Sequence, residues 1–157
     1  MYRDPAHRGS SADGLTGSQL SLAIHKLIYI LTLSPMDEYH SGKSLTIWLW
    51  EGAEASWAEA EEGVMEAHQA QFRTLLERLA DFGHLRVPDH MNSEGGGIHA
   101  VKGRTGLRAY GWFDQVNGRR AFIISHVVLK KKQKLNPADL AKASARRNSY
   151  RLSKESK

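Results

Sequence analysis

The sequence predicts an α+β domain: a small antiparallel β-sheet with a long helix, or a helix pair, and a C-terminal helix. Three observations predict it. Residues 44–50, SLTIWLW, are β-branched and aromatic and read as a strand. Residues 53–82 carry apolar side chains at three- and four-residue spacing, the mark of an amphipathic helix. Residues 98–129 hold three strand-like runs separated by turn chemistry. The order is thus strand, long helix, three-stranded antiparallel meander and terminal helix, with the helices on one face of the sheet.

The elements follow in chain order. Residues 1–19 mix charges and glycines and read as disordered. Residues 20–33, LSLAIHKLIYILTL, are apolar but interrupted by His25 and Lys26. They fall short of the roughly 20 clean apolar residues that span a bilayer, and read as a buried helix or strand. The coherent pattern starts near Lys43, so residues 1–40 are expected to be a partly disordered extension, residues 43–152 the folded domain and residues 153–157 a flexible tail. In the long helix, the apolar positions Trp57, Val64, Met65, Phe72, Leu75, Leu76 and Leu79 recur at three- and four-residue spacing, Gly63 is a point where it splits in two, and Gly83 is its C-cap. Residues 84–97 read as a loop. Residues 98–102 and 107–113 read as strands, 114–118 as a hairpin connection containing Asn-Gly, and 121–129 as the central strand. Asn136 as N-cap and Pro137 at the first helical position start the last helix, which runs to about Leu152.

Charge separates along the chain more than it accumulates. The net charge is +5 over 157 residues, but residues 1–98 hold 7 Lys and Arg against 14 Asp and Glu, and residues 99–157 hold 15 against 3. The C-terminal part is therefore suited to a polyanion, nucleic acid first among them. There is no cysteine, which excludes disulfides and thiolate chemistry and fits a reducing cytoplasm. His68, His84, His90 and His99 lack metal-ligand spacing, and no metal is assigned. The glycines at 95–97 precede a strand, so they lack the setting of a phosphate loop.

Within the basic part, Lys130, Lys131, Lys132 and Lys134 cluster directly after the central strand and read as a backbone-binding or a solvated loop. His126, at the end of that strand, is either an acid–base group or a structural histidine. Lys102 lies on the adjacent strand. Arg146 and Arg147 decorate the last helix as nucleic-acid contacts or as a solvated face, and Tyr150 either stacks on a base or anchors that helix.

Residues 107–150 carry a resemblance. They contain Leu107-Arg108 at a strand start, then Ile124-Ser125-His126, Lys130-Lys131-Lys132-Gln133-Lys134, Pro137, Ala141 and Ala145-Arg146-Arg147. This pattern, with the element order, resembles the RelE/HigB superfamily of toxins, and more narrowly its phage-derived HigB-like branch. The resemblance implies a metal-free, ribosome-dependent endoribonuclease that cuts translated mRNA and is neutralised by a cognate helix-turn-helix antitoxin. In such an enzyme the ribose 2′-OH attacks its own 3′-phosphate. Arg108 would stabilise the phosphorane, and His126 with Lys130, Lys131 or Lys102 would handle protons and charge. Lys132, Lys134, Arg146 and Arg147 would hold the RNA. No cofactor is implied. A non-catalytic RNA-binding or phage accessory protein that keeps the toxin fold is the alternative.

Overall fold

A computed structural model of the chain describes residues 14, 16–32, 35–131 and 136–156, with side chains from residue 26 to 32 excepted. The chain divides into two compact units, Met1–Ser34 and Pro35–Lys157.

The first unit contains α1 (Gly17–Thr32). Its start is a reciprocal cap: Gln19 N–H donates to Thr16 Oγ1 at 3.3 Å, and Thr16 N–H donates to Gln19 Oε1 at 3.2 Å. The apolar run is therefore helical. It is not buried where its side chains are described, since Leu20, Leu22 and Ile24 are exposed. Its own unit offers no second element among the described residues against which to pack.

The second unit is an α+β fold built on a six-stranded sheet. Its elements are β1 (Met36–Ser41), β2 (Thr46–Trp50), α2 (Ala53–Glu61), α3 (Glu66–Phe82), β3 (Met91–Gly95), β4 (Ile98–Lys102), β5 (Leu107–Val116), β6 (Arg119–Leu129) and α4 (Pro137–Glu155). The strand order is β1-β2-β6-β5-β4-β3. The apolar strand β6 sits inside the sheet, as expected of the most hydrophobic run. The long helix splits at Gly63, which takes a left-handed conformation (φ 76°) between α2 and α3. Asn136 caps α4 by accepting from Ala138 N–H at 3.0 Å, with Pro137 next to it.

The structure departs from expectation in five places. First, the folded unit begins at Pro35 and not near Lys43, because β1 pairs antiparallel with β2 from Met36↔Trp50 to Ser41↔Thr46. The run MDEYHS is polar because it is an edge strand, where charges such as Asp37 and Glu38 discourage further pairing. Second, β2 pairs parallel with β6, so the sheet is mixed. Third, residues 91–95, read as loop, form β3 against β4, which extends the meander to four strands. Fourth, the helices lie on both faces. Trp57, Phe72, Leu76 and Leu79 pack on Leu107, Ala109, Phe122 and Ile124, whereas Ala143 and Tyr150 of α4 pack on Ile98, Tyr110, Trp112 and Ile123. Alternate residues of β5 and β6 point to opposite faces, so each strand feeds two cores. Fifth, α4 continues through Glu155, and Lys154 of the expected tail donates to Asp114 at 2.7 Å.

Candidate functional site: a cationic cavity beside the last helix

The face of the sheet that carries α4 is only partly covered by it. Tyr150 is buried, lies 5.5 Å from the Trp112 ring and 5.8 Å from Trp50, and donates its hydroxyl to Asp114 at 2.8 Å. Burial, then the Asp114 carboxylate, pushes this phenol up to about 12. Tyr150 therefore anchors the helix. Arg146 donates to the Ser125 carbonyl and Arg147 to the Gly96 carbonyl. The Ser125 contact has a local cause: the register shift at Tyr110/Gly111 leaves Ser125 with no facing residue on β5, so the guanidinium satisfies its carbonyl. Arg146 and Arg147 thus dock α4 on the sheet.

Beyond the end of α4 the same face opens. Register places Lys102, Arg108 and Val128 in one row across β4, β5 and β6, and Ala100, Tyr110 and His126 in the next. Cross-strand partners share a face, so Lys102, Arg108 and Tyr110 project together. They line a cavity of about 670 Å³ with Arg104, Lys130 and Lys131. Asn92, Glu94 and Asp89 complete its polar wall. Five cations thus face two carboxylates, and Asp89 is already paired with Arg86 at 3.1 Å.

Two features fix these side chains. The turn between β4 and β5 is tied to the end of β6: Lys130 N–H donates to the Gly106 carbonyl at 2.8 Å. Gly106 has φ 101°, and a Cβ there would sit 2.1 Å from the Lys130 carbonyl oxygen. Only glycine permits this approach. Lys130 is then held from the α4 side, with its ammonium 3.7 Å from Asp139 and 5.5 Å over the Tyr110 ring. On β3, the Asn92 amide, oriented to satisfy both ends, accepts from Lys102 Nζ at 3.1 Å and donates to the Met91 carbonyl at 3.0 Å. By contrast, the side chains of Arg104, Arg108 and Lys131 make no hydrogen bond or ion pair with any described residue.

His126 does not line the cavity. It is fully buried and its ring stacks on Tyr110, 5.1 Å away and nearly parallel. Burial, then the Lys142 charge, lowers it to about 4, with Asp139 pulling the other way. The imidazole is therefore neutral near pH 7. Its Nε2–H donates to Asp139 at 3.4 Å, and its Nδ1 accepts from the Ser125 hydroxyl at 2.9 Å. It supports Tyr110 from behind, and Tyr110 meets the cavity. Burial also raises the Tyr110 phenol, with the Lys130 ammonium opposing, so Tyr110 enters the site as a protonated donor.

Of the residues expected at the site, Lys102, Arg108, Lys130 and Lys131 converge. His126 lies behind the wall, and Arg146 and Arg147 belong to the α4 contact. Lys132 and Lys134 lie outside the described residues. Sequence reading missed Arg104, Tyr110 and Asp139. Tyr110 was within reach, being two residues past Arg108 on the same strand and hence on the same face. Arg104 sat in a recognised turn with nothing to mark its direction. Among the described residues, no three His, Asp or Glu side chains gather as a metal site, and no helix is long and apolar enough to cross a membrane. No protein-family model matches the chain, and no curated protein matches it in sequence.

Proposed function

We propose that the cavity binds the sugar–phosphate backbone of RNA and that the protein is a metal-free endoribonuclease of the RelE/HigB toxin type, acting on mRNA at the ribosome. The observation that carries this reading is the convergence of Lys102, Arg108, Lys130 and Lys131, with Arg104, around one cavity. Transesterification by the 2′-OH places added negative charge on the phosphorane, and prepositioned cations stabilise that charge more than they stabilise the substrate. Arg108 is the main stabiliser. It stands on an interior strand and its planar fork is committed to nothing else among the described residues. Tyr110 donates a hydrogen bond to a phosphate oxygen, and His126 positions Tyr110 instead of touching the RNA. Lys102, Lys130 and Lys131 supply charge, and one of their ammonium groups protonates the 5′-oxygen as its bond to phosphorus breaks, while the 2′-OH proton leaves to solvent. A helix-turn-helix antitoxin would silence such an enzyme, and the cytoplasm is its place of action.

The test is expression of the chain in a bacterial translation extract, with mapping of mRNA ends. Wild type is expected to leave new ends bearing 2′,3′-cyclic phosphate in translated messages, and Arg108→Ala to leave none. Absence of cleavage by wild type, or full cleavage by Arg108→Ala, contradicts the proposal. A second reading, a non-catalytic RNA-binding or phage accessory protein, is favoured by one observation: the histidine that the resemblance makes an acid–base group is buried away from the cavity. Salt-sensitive RNA binding without cleavage distinguishes it.

A further inference from the structure

The cationic cavity does not end at the β4–β5 turn. Asp89, Lys102, Gly103 and Arg104 line a second cleft of about 360 Å³, whose other wall is Gln71, Thr74, Leu75 and Arg78 of α3. Arg78 and His90 in turn line a third, of about 290 Å³, which reaches Phe82, His84 and Arg86. Shared walls make the three depressions one track, running from Tyr110 around the end of β4 to the C-terminal end of α3.

The α3 residues on the track recur at helical spacing, 71, 74, 75, 78 and 82, and so lie on one face. From Gln71 to Phe82 is eleven residues, about 16 Å along the axis. The Arg78 side chain makes no hydrogen bond or ion pair with any described residue. One turn beyond it the Phe82 ring is 64% exposed, although it is a large apolar group at the end of a well-packed helix. The carboxylate that lines both of the first two depressions, Asp89, is paired with Arg86.

We propose that this track is a binding site for the single-stranded RNA that flanks the bond in the cavity. This rests on the reading of the cavity as an RNA site. The order of groups along the track is cation (Arg104), cation (Arg78), exposed ring (Phe82). Phosphates pair with the guanidinium groups and a base lies on the ring, the combination that single-stranded nucleic acid uses on proteins. The carbonyl end of α3 carries partial negative charge, which suits a base there and not a phosphate. A chain of acidic residues alone would match the arginines but has no flat group for an exposed phenyl ring.

The experiment compares 2′-O-methyl oligoadenylates of about four and about twelve nucleotides, which the enzyme cannot cut, by fluorescence anisotropy. Wild type is expected to bind the longer one at least about tenfold more tightly. The variant Arg78→Gln with Phe82→Ser, both changes at exposed positions, is expected to bind the short RNA like wild type and to lose the length advantage. Its salt dependence for the long RNA should fall by about one phosphate's worth. An unchanged length advantage in this variant, with unchanged thermal unfolding, overturns the inference. So does Arg78-dependent binding of polyglutamate in place of the long RNA. Short-RNA binding that requires Arg108 while the long RNA gains nothing sinks the track alone. Short-RNA binding indifferent to Arg108→Gln sinks the underlying reading and the track with it.

Discussion

Arg108 and Arg146 are the same residue type on the same side of the sheet, and the fold uses them in opposite ways. Arg146 sits under α4 with its guanidinium on the Ser125 carbonyl, and burial lowers its pKa. Arg147 is likewise spent on the Gly96 carbonyl. Arg104 and Arg108 stand on the β4–β5 hairpin, with side chains open to a cavity and bonded to no described residue. The difference teaches that a basic surface divides into cations that complete the fold and cations left for a ligand. Partners and not charge decide which is which. A guanidinium on a buried carbonyl has replaced water and holds a helix, whereas one facing a cavity lined by like charges has unmet demand for an anion.

The largest expected effect breaks the comparison if it fails. Arg108→Ala should lower mRNA cleavage about a hundredfold or more while leaving the thermal unfolding midpoint nearly unchanged, measured by end mapping and by circular dichroism. Gly106→Ala should come next. Its Cβ cannot coexist with the Lys130 carbonyl at 2.1 Å, and its φ of 101° strains any other residue. The turn must shift, so we expect about 1–3 kcal/mol of lost stability in urea titration together with roughly tenfold slower cleavage, as Lys130 leaves its place.

Arg146→Ala should show the reverse pattern to Arg108→Ala. Stability should fall by about 1–3 kcal/mol, because the Ser125 carbonyl is left buried and unpaired, while cleavage per folded molecule stays. A loss of cleavage without loss of stability would place Arg146 with the ligand-facing cations.

The smallest effect concerns pH. His126 is lowered to about 4 in the folded protein, against 6.5 for an unperturbed histidine. Between these values the unfolded chain takes up a proton that the native state refuses, so stability is full above about 6.5 and falls as pH drops toward 4. His126→Gln should flatten that part of a melting-temperature profile. Lys142 and Arg146 oppose the imidazolium and Asp139 favours it, so Asp139→Asn should extend the fall to lower pH and deepen it.

Much of the fold was legible because its signals are local. The strand at 46–50, the two helices divided at Gly63, the Asn-Gly hairpin and the Asn136-Pro137 start of α4 each follow from residues adjacent in sequence. What escaped was set by tertiary context. β1 and β3 are short polar edge strands whose pairing depends on a neighbour and not on their own composition. The placement of α4 opposite α2 and α3 follows from the two-sided burial of β5 and β6. The site was half legible for the same reason. Lys102, Arg108, Lys130 and Lys131 are basic residues on neighbouring strands and their ends, so register brings them together. The burial of His126 was not legible, since it depends on α4 covering that stretch of β6 and on the Tyr110 ring lying across it.

Arg108, whose side chain has no hydrogen bond or ion pair with any described residue, is proposed to hold an RNA phosphate in the cavity. The salt dependence of binding to a short 2′-O-methyl RNA counts phosphates directly, at about 0.7 in the logarithmic slope for each one on a single strand. Arg108→Gln should reduce the slope by about that amount and weaken binding, while Arg147→Gln should leave both as in wild type. Equal slopes for wild type and Arg108→Gln, or a reduced slope for Arg147→Gln alone, would contradict the account.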